Sequence, residues 1–177
     1  MKDLKQYNIQ FVGLKLGKHT FEYQIDDKFF GFFNYEEFSN ASIQVDLVFE
    51  KKTTVFELNF IAKGFVTIPC DVTNELYDQE IQATLPLVVK FGDDFNDENE
   101  EMLILPHGEY EFSVAQFIYE MIVLSVPLKR VHPKVKDGTM KSEALDKLAA
   151  LKIEEKKTID TDPRWDKLKS LITEKKT

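Results

Sequence analysis

The one cysteine and the three histidines of this sequence are of types that commonly serve as nucleophiles, proton-transferring groups or metal ligands. They are Cys70, His19, His107 and His132. A cysteine beside a histidine makes a nucleophile pair, and both residue types bind zinc. The spacing favours neither, because the sequence contains no Cys-x-x-Cys and no His-x-x-x-His pair. Cys70 falls on the apolar side of a predicted strand with Val66 and Ile68, so we expect a buried structural thiol, no catalytic residue, no metal and no cofactor. An enzyme that uses Cys70 is a weaker alternative.

Six of the nine residues from 93 to 101 are acidic and could supply ligands for calcium. An EF-hand loop needs glycine at its sixth position and glutamate at its twelfth. A loop that began at Asp94 would place Asn99 and Leu105 there. The segment is therefore predicted to be a solvated hairpin loop, since runs of like charge are usually exposed. Glycine-rich phosphate-binding patterns do not occur in the sequence either.

An aromatic cluster follows the second predicted strand. Its members are Phe29, Phe30, Phe32, Phe33, Tyr35 and Phe38. Aromatic platforms that stack on bases normally lie in a basic groove. Here acidic residues flank the cluster on both sides, and Lys28 is the one basic neighbour. Core packing is the better interpretation, and a partner-binding patch is the alternative if the cluster is exposed.

The charge of the chain is unevenly distributed. The 177 residues carry a net charge of -8, but residues 1–128 hold 9 basic and 22 acidic residues, whereas residues 129–177 hold 14 and 9. An acidic body repels phosphate backbones, so we expect no DNA binding and no RNA binding through the body. The basic tail could contact RNA or an acidic partner.

Alternating apolar and polar residues predict several short strands in the first 105 residues. The strands cover residues 7–11, 21–25, 43–49, 56–60, 66–70, 81–91 and 102–105. One-sided alternation and short connections favour an antiparallel sheet over a parallel one. Pro86 lacks a backbone donor, which predicts an edge or a bulge within the longest strand.

A helical period replaces the alternation after the strands. Apolar residues recur at helical spacing from Val114 to Ile122, Ser113 is a candidate N-cap, and Pro127 ends the helix. We therefore predict an α+β fold over residues 1–128. It is a twisted antiparallel β-sheet or a partly open barrel, covered by one amphipathic helix.

Residues 129–177 form a basic, helical C-terminal tail in this prediction. Short helices would begin at Ser142 and at Asp162, with a partly mobile stretch between them. The N-terminus has no apolar signal core, and no run of about 18 apolar residues occurs, so we expect no membrane span. Together with the single cysteine, these features predict a cytoplasmic protein.

Three segments resemble the YceD-like family, whose members are called large ribosomal RNA subunit accumulation proteins. The segments are Gly64 to Cys70, Tyr110 to Pro127 and Asp162 to Leu168. In that family a strand ends in Cys-x-x-Cys. A later helix has a glutamate, an apolar run and a proline, and the tail reads Asp-Pro-Arg, an aromatic residue and Leu. Glu120 and Pro127 match the helix, and Asp162 to Leu168 matches the tail.

The chain departs from the family pattern at its cysteines. Thr73 stands where the second cysteine often stands, and residues 129–134 contain none of the cysteines that many members carry there. If those thiols bind zinc in some members, this chain has lost the ligands, and His132 remains as a lone candidate. The resemblance therefore leaves the prediction of no metal site unchanged.

The resemblance implies a non-enzymatic role in making or keeping large-subunit ribosomal RNA, and a bacterial protein. We expect the acidic body to bind a ribosomal protein or an assembly factor of the large subunit, because opposite charges steer encounter. The tail would contact ribosomal RNA or a second protein. The residues expected at that contact are Lys129, Arg130, His132, Lys134, Lys136, Arg164 and Trp165. The alternative is an antiparallel β domain that binds a small ligand in an apolar interior.

Overall fold

The computed structural model describes residues 3–99 and 101–151, and within them it has eight strands. The strands are β1 (Asn8–Gln10), β2 (Gly17–Asp26), β3 (Asn40–Lys51), β4 (Val55–Pro69), β5 (Leu76–Gly92), β6 (Asn96–Asn99), β7 (Met102–Pro106) and β8 (Glu111–Ser113). The main sheet has the order β2, β3, β4, β5, β7, β6, and β1 pairs with β8 in a second, two-stranded sheet. Since β2 and β6 are edges, the main sheet is open and does not close into a barrel.

The long strands β3, β4 and β5 pair antiparallel and form the centre of the main sheet. Alternate residues are buried on one face, as from Ile43 to Phe49 in β3 and from Phe56 to Ala62 in β4. The residues between them are exposed or half-buried. This one-sided burial confirms the predicted α+β class with a mainly antiparallel sheet.

The strands differ from the prediction in two ways. Those predicted at residues 56–60 and 66–70 form one strand, β4, because Gly64 does not end it and pairs with Ile43 and Ile81. β7 runs parallel to β5, because the chain leaves β5, forms the edge strand β6 and returns as β7 between the two. In the acidic segment, every acid that the structure describes is exposed, as predicted, but Asn96–Asn99 is this edge strand rather than a loop. Pro86 precedes Val88, where β5 begins to pair with β7. The strand is therefore an edge at Pro86 and tolerates the missing N–H, as predicted.

Four α-helices and one short 3-10 helix (Asp3–Tyr7) complete the described residues. The α-helices are α1 (Asp27–Gly31), α2 (Ala115–Ser125), α3 (Pro133–Lys136) and α4 (Glu143–Leu151). α2 packs against β5 and buries Ile118 and Ile122 completely. Val114, not Ser113, occupies the N-cap position, although the Ser113 hydroxyl accepts a hydrogen bond from the Ala115 N–H at 3.3 Å.

The aromatic cluster lies mainly in the core. Phe29 and Phe30 are each 1% exposed, and Phe38 is also buried. Phe33 stacks on Tyr119 of α2 with ring centroids 4.3 Å apart. The core interpretation is therefore confirmed for most of the cluster, and it places the α1 region against α2.

The described residues divide into two compact units between Lys141 and Ser142. The first unit holds both sheets, α1, α2 and α3, so the stretch directly after residue 128 belongs to it by its contacts. The division of the chain at residue 128 stays a prediction. The second unit contains α4, where the Ser142 hydroxyl accepts a hydrogen bond from the Leu145 N–H at 3.3 Å.

Two of the predicted contact residues, Arg164 and Trp165, lie outside the described residues, and so does the helix predicted to begin at Asp162. Within residues 3–99 and 101–151, no helix has the length and apolar character needed to cross a membrane.

Candidate functional site

A tight turn joins β4 to β5, and we call residues 70–75 the Cys70 turn. The Cys70 N–H donates to the Glu75 carbonyl at 2.9 Å, and the Asn74 N–H donates to the Cys70 carbonyl at 2.8 Å. Asn74 has a φ of 58°, a left-handed conformation that asparagine tolerates better than most residues. These bonds close the turn around the Cys70 sulfur, which is buried as predicted.

The chain returns to this turn after α2, and we call residues 129–136 the post-helix segment. The Asp71 N–H donates to the Arg130 carbonyl at 2.8 Å, and the Arg130 N–H donates to the Asp71 carboxylate at 2.7 Å. The His132 N–H donates to Cys70 Sγ at 3.3 Å. The structure thus brings two of the predicted contact residues to the Cys70 turn, Arg130 to Asp71 and His132 to Cys70.

Hydrogen bonding changes the acidity of the Cys70 thiol. Burial raises the pKa, but the backbone N–H of His132, the Thr73 hydroxyl and the backbone N–H groups of Val72 and Thr73 lower it. The donors outweigh burial, and the pKa falls from its ordinary value of 9.0 to about 7. Donors that point at sulfur stabilise the thiolate over the thiol.

The Arg130 side chain is held within the chain. Its guanidinium forms a salt bridge with the Glu37 carboxylate, and this contact raises the pKa of Arg130. Tyr35, which packs beside Glu37, and Asp71 also favour the charged guanidinium. Arg130 therefore links the α1–β3 connection, the Cys70 turn and the post-helix segment.

His132 has a local structural role. Its Nδ1 accepts a hydrogen bond from the Lys134 N–H at 3.0 Å, which caps α3, and its ring packs against Tyr77 with centroids 5.3 Å apart. It contacts Cys70 through its backbone N–H. The three lysines of the segment, Lys129, Lys134 and Lys136, are exposed, and none forms a salt bridge among the described residues.

The residues around Cys70 do not fit a zinc site. The Thr73 hydroxyl, at the position of the family's second cysteine, hydrogen-bonds to the Cys70 sulfur, and the His132 Nδ1 caps a helix. No group of three or more His, Cys, Asp or Glu residues in the described part of the chain is arranged to hold a metal ion. At this place hydrogen bonds join the Cys70 turn to the post-helix segment.

A second feature lies along α2, and we call it the α2 groove. It is an open cavity of about 420 Å³ between α2, β6, β7 and β8. Apolar side chains line it, and four carboxylates belong to the same lining. The apolar members include Phe95, Leu105, Phe112 and Phe117, and the acids are Asp97, Glu109, Glu111 and Glu120.

Sequence reasoning found the acids of this groove only in part. Asp97 belongs to the acidic run, and Glu120 to the family-like helix. Glu109 carried no sequence signal, and Glu111 stood out only as part of the family-like segment from Tyr110 to Pro127. The proximity of both to Asp97 depends on β7 lying inside β6.

The family model for large ribosomal RNA subunit accumulation protein YceD matches residues 58–172 of the chain. The match covers more than half of the chain and includes β5, α2, the Cys70 turn and the post-helix segment. No curated protein and no solved structure matches the chain.

Proposed function

The chain belongs to the YceD family, and we propose that it is a non-enzymatic factor that supports the accumulation of large-subunit ribosomal RNA. It would do so by binding a ribosomal protein or an assembly factor of the large subunit. The observation that carries this mechanism is the separation of charge between residues 1–128, with 9 basic and 22 acidic residues, and the basic residues after them. Opposite charges steer such a body towards basic proteins.

Contact with ribosomal RNA, where it occurs, is assigned to the basic residues after α2. Lys129, Lys134 and Lys136 are exposed and carry no internal salt bridge in the described residues, so their ammonium groups are available to phosphates. Arg130 is engaged by Glu37 and is a weaker candidate. Arg164 and Trp165 remain proposed contacts.

The proposal of a non-enzymatic role is supported by the surroundings of Cys70. The thiol is 2% exposed, so a substrate could not reach it without rearrangement of the turn. The His132 backbone N–H donates a hydrogen bond to the Cys70 sulfur. The His132 Nδ1 already accepts a hydrogen bond from the Lys134 N–H. A base that activates a cysteine must instead accept the thiol proton. We propose a cytoplasmic location, where ribosomal particles are assembled.

Sedimentation of ribosomal particles from depleted cells tests the function. We expect depletion to lower large subunits and their RNA selectively, and an unchanged profile would contradict the proposal. A second arm measures co-sedimentation of the protein with particles. The variant Lys129→Glu/Lys134→Glu/Lys136→Glu should leave the particles if these lysines contact RNA.

A matched control variant shows whether any loss of co-sedimentation comes from the change in net charge alone. Lys15, Lys28 and Lys63 are exposed lysines of the body, and their replacement by glutamate changes the total charge by the same amount. We expect this control to stay with the particles. Equal loss of both variants would show that only overall charge matters, and retention of both would remove these three lysines from the proposed RNA contact.

The alternative function is that of a small-ligand-binding domain, and the α2 groove supports it. Its volume of about 420 Å³ and its apolar lining are within the range of small-molecule sites. The groove is open to solvent, however, and its four carboxylates would restrict it to cationic ligands. Unchanged ribosomal profiles, together with a bound metabolite in the purified protein, would favour this alternative.

A further inference from the structure

We propose that the α2 groove binds a Lys/Arg-rich amphipathic segment of the protein partner. This inference rests on the proposed function, because it assigns a surface to the partner that the function requires. The occupant is defined by chemistry: apolar side chains along one side and several basic side chains beside them. Its most economical form is a helix or an extended peptide laid along α2.

The apolar lining provides the first argument. Phe95 is 58% exposed and Leu124 is 80% exposed, which are high values for large apolar side chains on the surface. A second open cavity of about 530 Å³ adjoins the groove through shared residues Asp97, Phe117 and Glu120, and it also contains Leu124. The two cavities therefore form one continuous apolar surface along α2. Such surfaces commonly mark interaction sites.

The carboxylates provide the second argument. Glu111 accepts hydrogen bonds from the neutral amides of Asn8 and Gln10, and Glu120 accepts one from Gln116. None of the four carboxylates forms a salt bridge among the described residues. No lysine or arginine lines either cavity. Like charges gathered without a cation repel one another, and a basic occupant would remove that repulsion.

The combination selects a basic peptide over other occupants. Phosphate backbones are repelled by the four carboxylates. The acidic body of a second copy, residues 1–128, would bring further carboxylates to the groove. Lysine and arginine side chains suit the site, because their apolar stems can cover Phe95 and Phe117 while their charged ends reach the acids. An arginine can also lie over an aromatic ring.

Binding of defined peptides to the full chain tests the inference. The probes are peptides of about 20 residues, long enough for a helix of about 30 Å, tiled across the large-subunit ribosomal proteins of the same organism. Fluorescence anisotropy at physiological ionic strength gives their dissociation constants. We expect tight binding to be confined to basic peptides with apolar residues at helical spacing.

Two charge-matched variants locate the binding site. Asp97→Lys/Glu109→Lys reverses two acids of the groove, and Glu22→Lys/Glu80→Lys reverses two exposed acids of the main sheet. We expect the groove variant to weaken binding by about tenfold or more and the control by about twofold or less, since both change the net charge equally. Phe95→Ala should weaken binding several-fold while retaining salt dependence.

Three results would overturn the inference. They are an absence of peptide binding, an equal loss in both charge variants, and a dimer of the protein that only the groove variant dissociates. The last result would mean that a second copy occupies the groove.

A complementation experiment separates this inference from the proposed function. If depletion lowers large subunits and both charge variants restore them, the function stands and the groove inference fails. If only the control variant restores them, the groove carries the function. If depletion has no effect, the proposed function fails, and peptide binding alone decides whether the groove is a docking surface.

Discussion

Polar groups are paired differently in two regions of the molecule. One region is the Cys70 turn with the post-helix segment, and the other is the α2 groove. In the first region, hydrogen bonds join distant parts of the chain, Asp71 to Arg130 and Cys70 to His132, and Glu37 neutralises the Arg130 guanidinium. In the α2 groove, the carboxylates of the lining meet only neutral amides or solvent. Groups satisfied within the chain stabilise the fold.

The difference indicates which region is available to a partner. A charged group that already has an internal partner must lose it before it can bind another molecule. Uncompensated carboxylates beside exposed apolar side chains have no such cost, and they slightly destabilise the isolated chain by repulsion. Substitutions should therefore affect stability in the first region and association in the second.

The largest expected effect comes from α2, because it lines the groove and precedes the post-helix segment. Ile118→Ala removes a side chain that is 0% exposed and should lower the free energy of unfolding by about 2–5 kcal/mol. Urea denaturation followed by circular dichroism measures this change. The control is Leu124→Ala on the same helix, which is 80% exposed and should change stability by about 0.5 kcal/mol or less. Similar losses in both variants would contradict the packing of α2.

The next effect depends on pH and isolates the Cys70 turn. The folded state lowers the Cys70 pKa from 9.0 to about 7, so folding favours the thiolate. This stabilisation is fully present above about pH 9 and is lost as the pH falls through 7. A difference of two pKa units corresponds to at most about 2.7 kcal/mol.

The free energy of unfolding of the natural chain should rise with pH between about pH 6.5 and 9, a range that brackets the thiol titration. Cys70→Ser serves as the control, since its hydroxyl does not titrate in this range. The difference between the two curves is the readout, whatever the cost of the substitution itself. Parallel curves would show that the donors around Cys70 do not stabilise a thiolate.

A smaller loss is expected when the link between the turn and the post-helix segment is cut. Asp71→Ala removes the carboxylate that accepts the Arg130 N–H at 2.7 Å. Because this carboxylate is exposed, the loss should be about 1 kcal/mol, below the roughly 1.5–3 kcal/mol of hydrogen bonds to charged groups. Asp94→Ala, another exposed acid of the body, is the control and should be nearly neutral. Peptide binding to the α2 groove should be the same in both variants, and a change in binding would couple the two regions.

The sequence predicted what depends on local periodicity and composition. Alternation identified most of the long strands and their buried faces, as in β3 from Ile43 to Phe49, and helical spacing located α2. It also predicted the burial of Cys70, which follows from its place beside Val66 and Ile68. These features are determined by residues close together in the chain.

The features that the sequence did not predict depend on contacts between distant segments of the chain. The parallel pairing of β7 with β5 leaves no local pattern, because β7 alone reads as an ordinary short strand. Arg130 was predicted as an external contact, and its salt bridge spans 93 positions of the chain to Glu37. The α2 groove combines residues from β6, β7, β8 and α2, so its acids could not be grouped before the topology was known.

The smallest expected effect is a change in the free energy of unfolding when charges are removed from the α2 groove. Asp97→Asn/Glu109→Gln removes two negative charges from the groove. Neither carboxylate accepts a hydrogen bond from another described residue, so the substitutions break none. Since the remaining carboxylates then repel one another less, the free energy of unfolding should rise by about 0.2–0.5 kcal/mol at low salt. The gain should shrink at high salt, where screening weakens the original repulsion. Thermal unfolding at two salt concentrations, with Glu22→Gln/Glu80→Gln as the control, measures this difference. A loss of stability would mean that the groove acids are already compensated within the chain, and the contrast between the two regions would disappear.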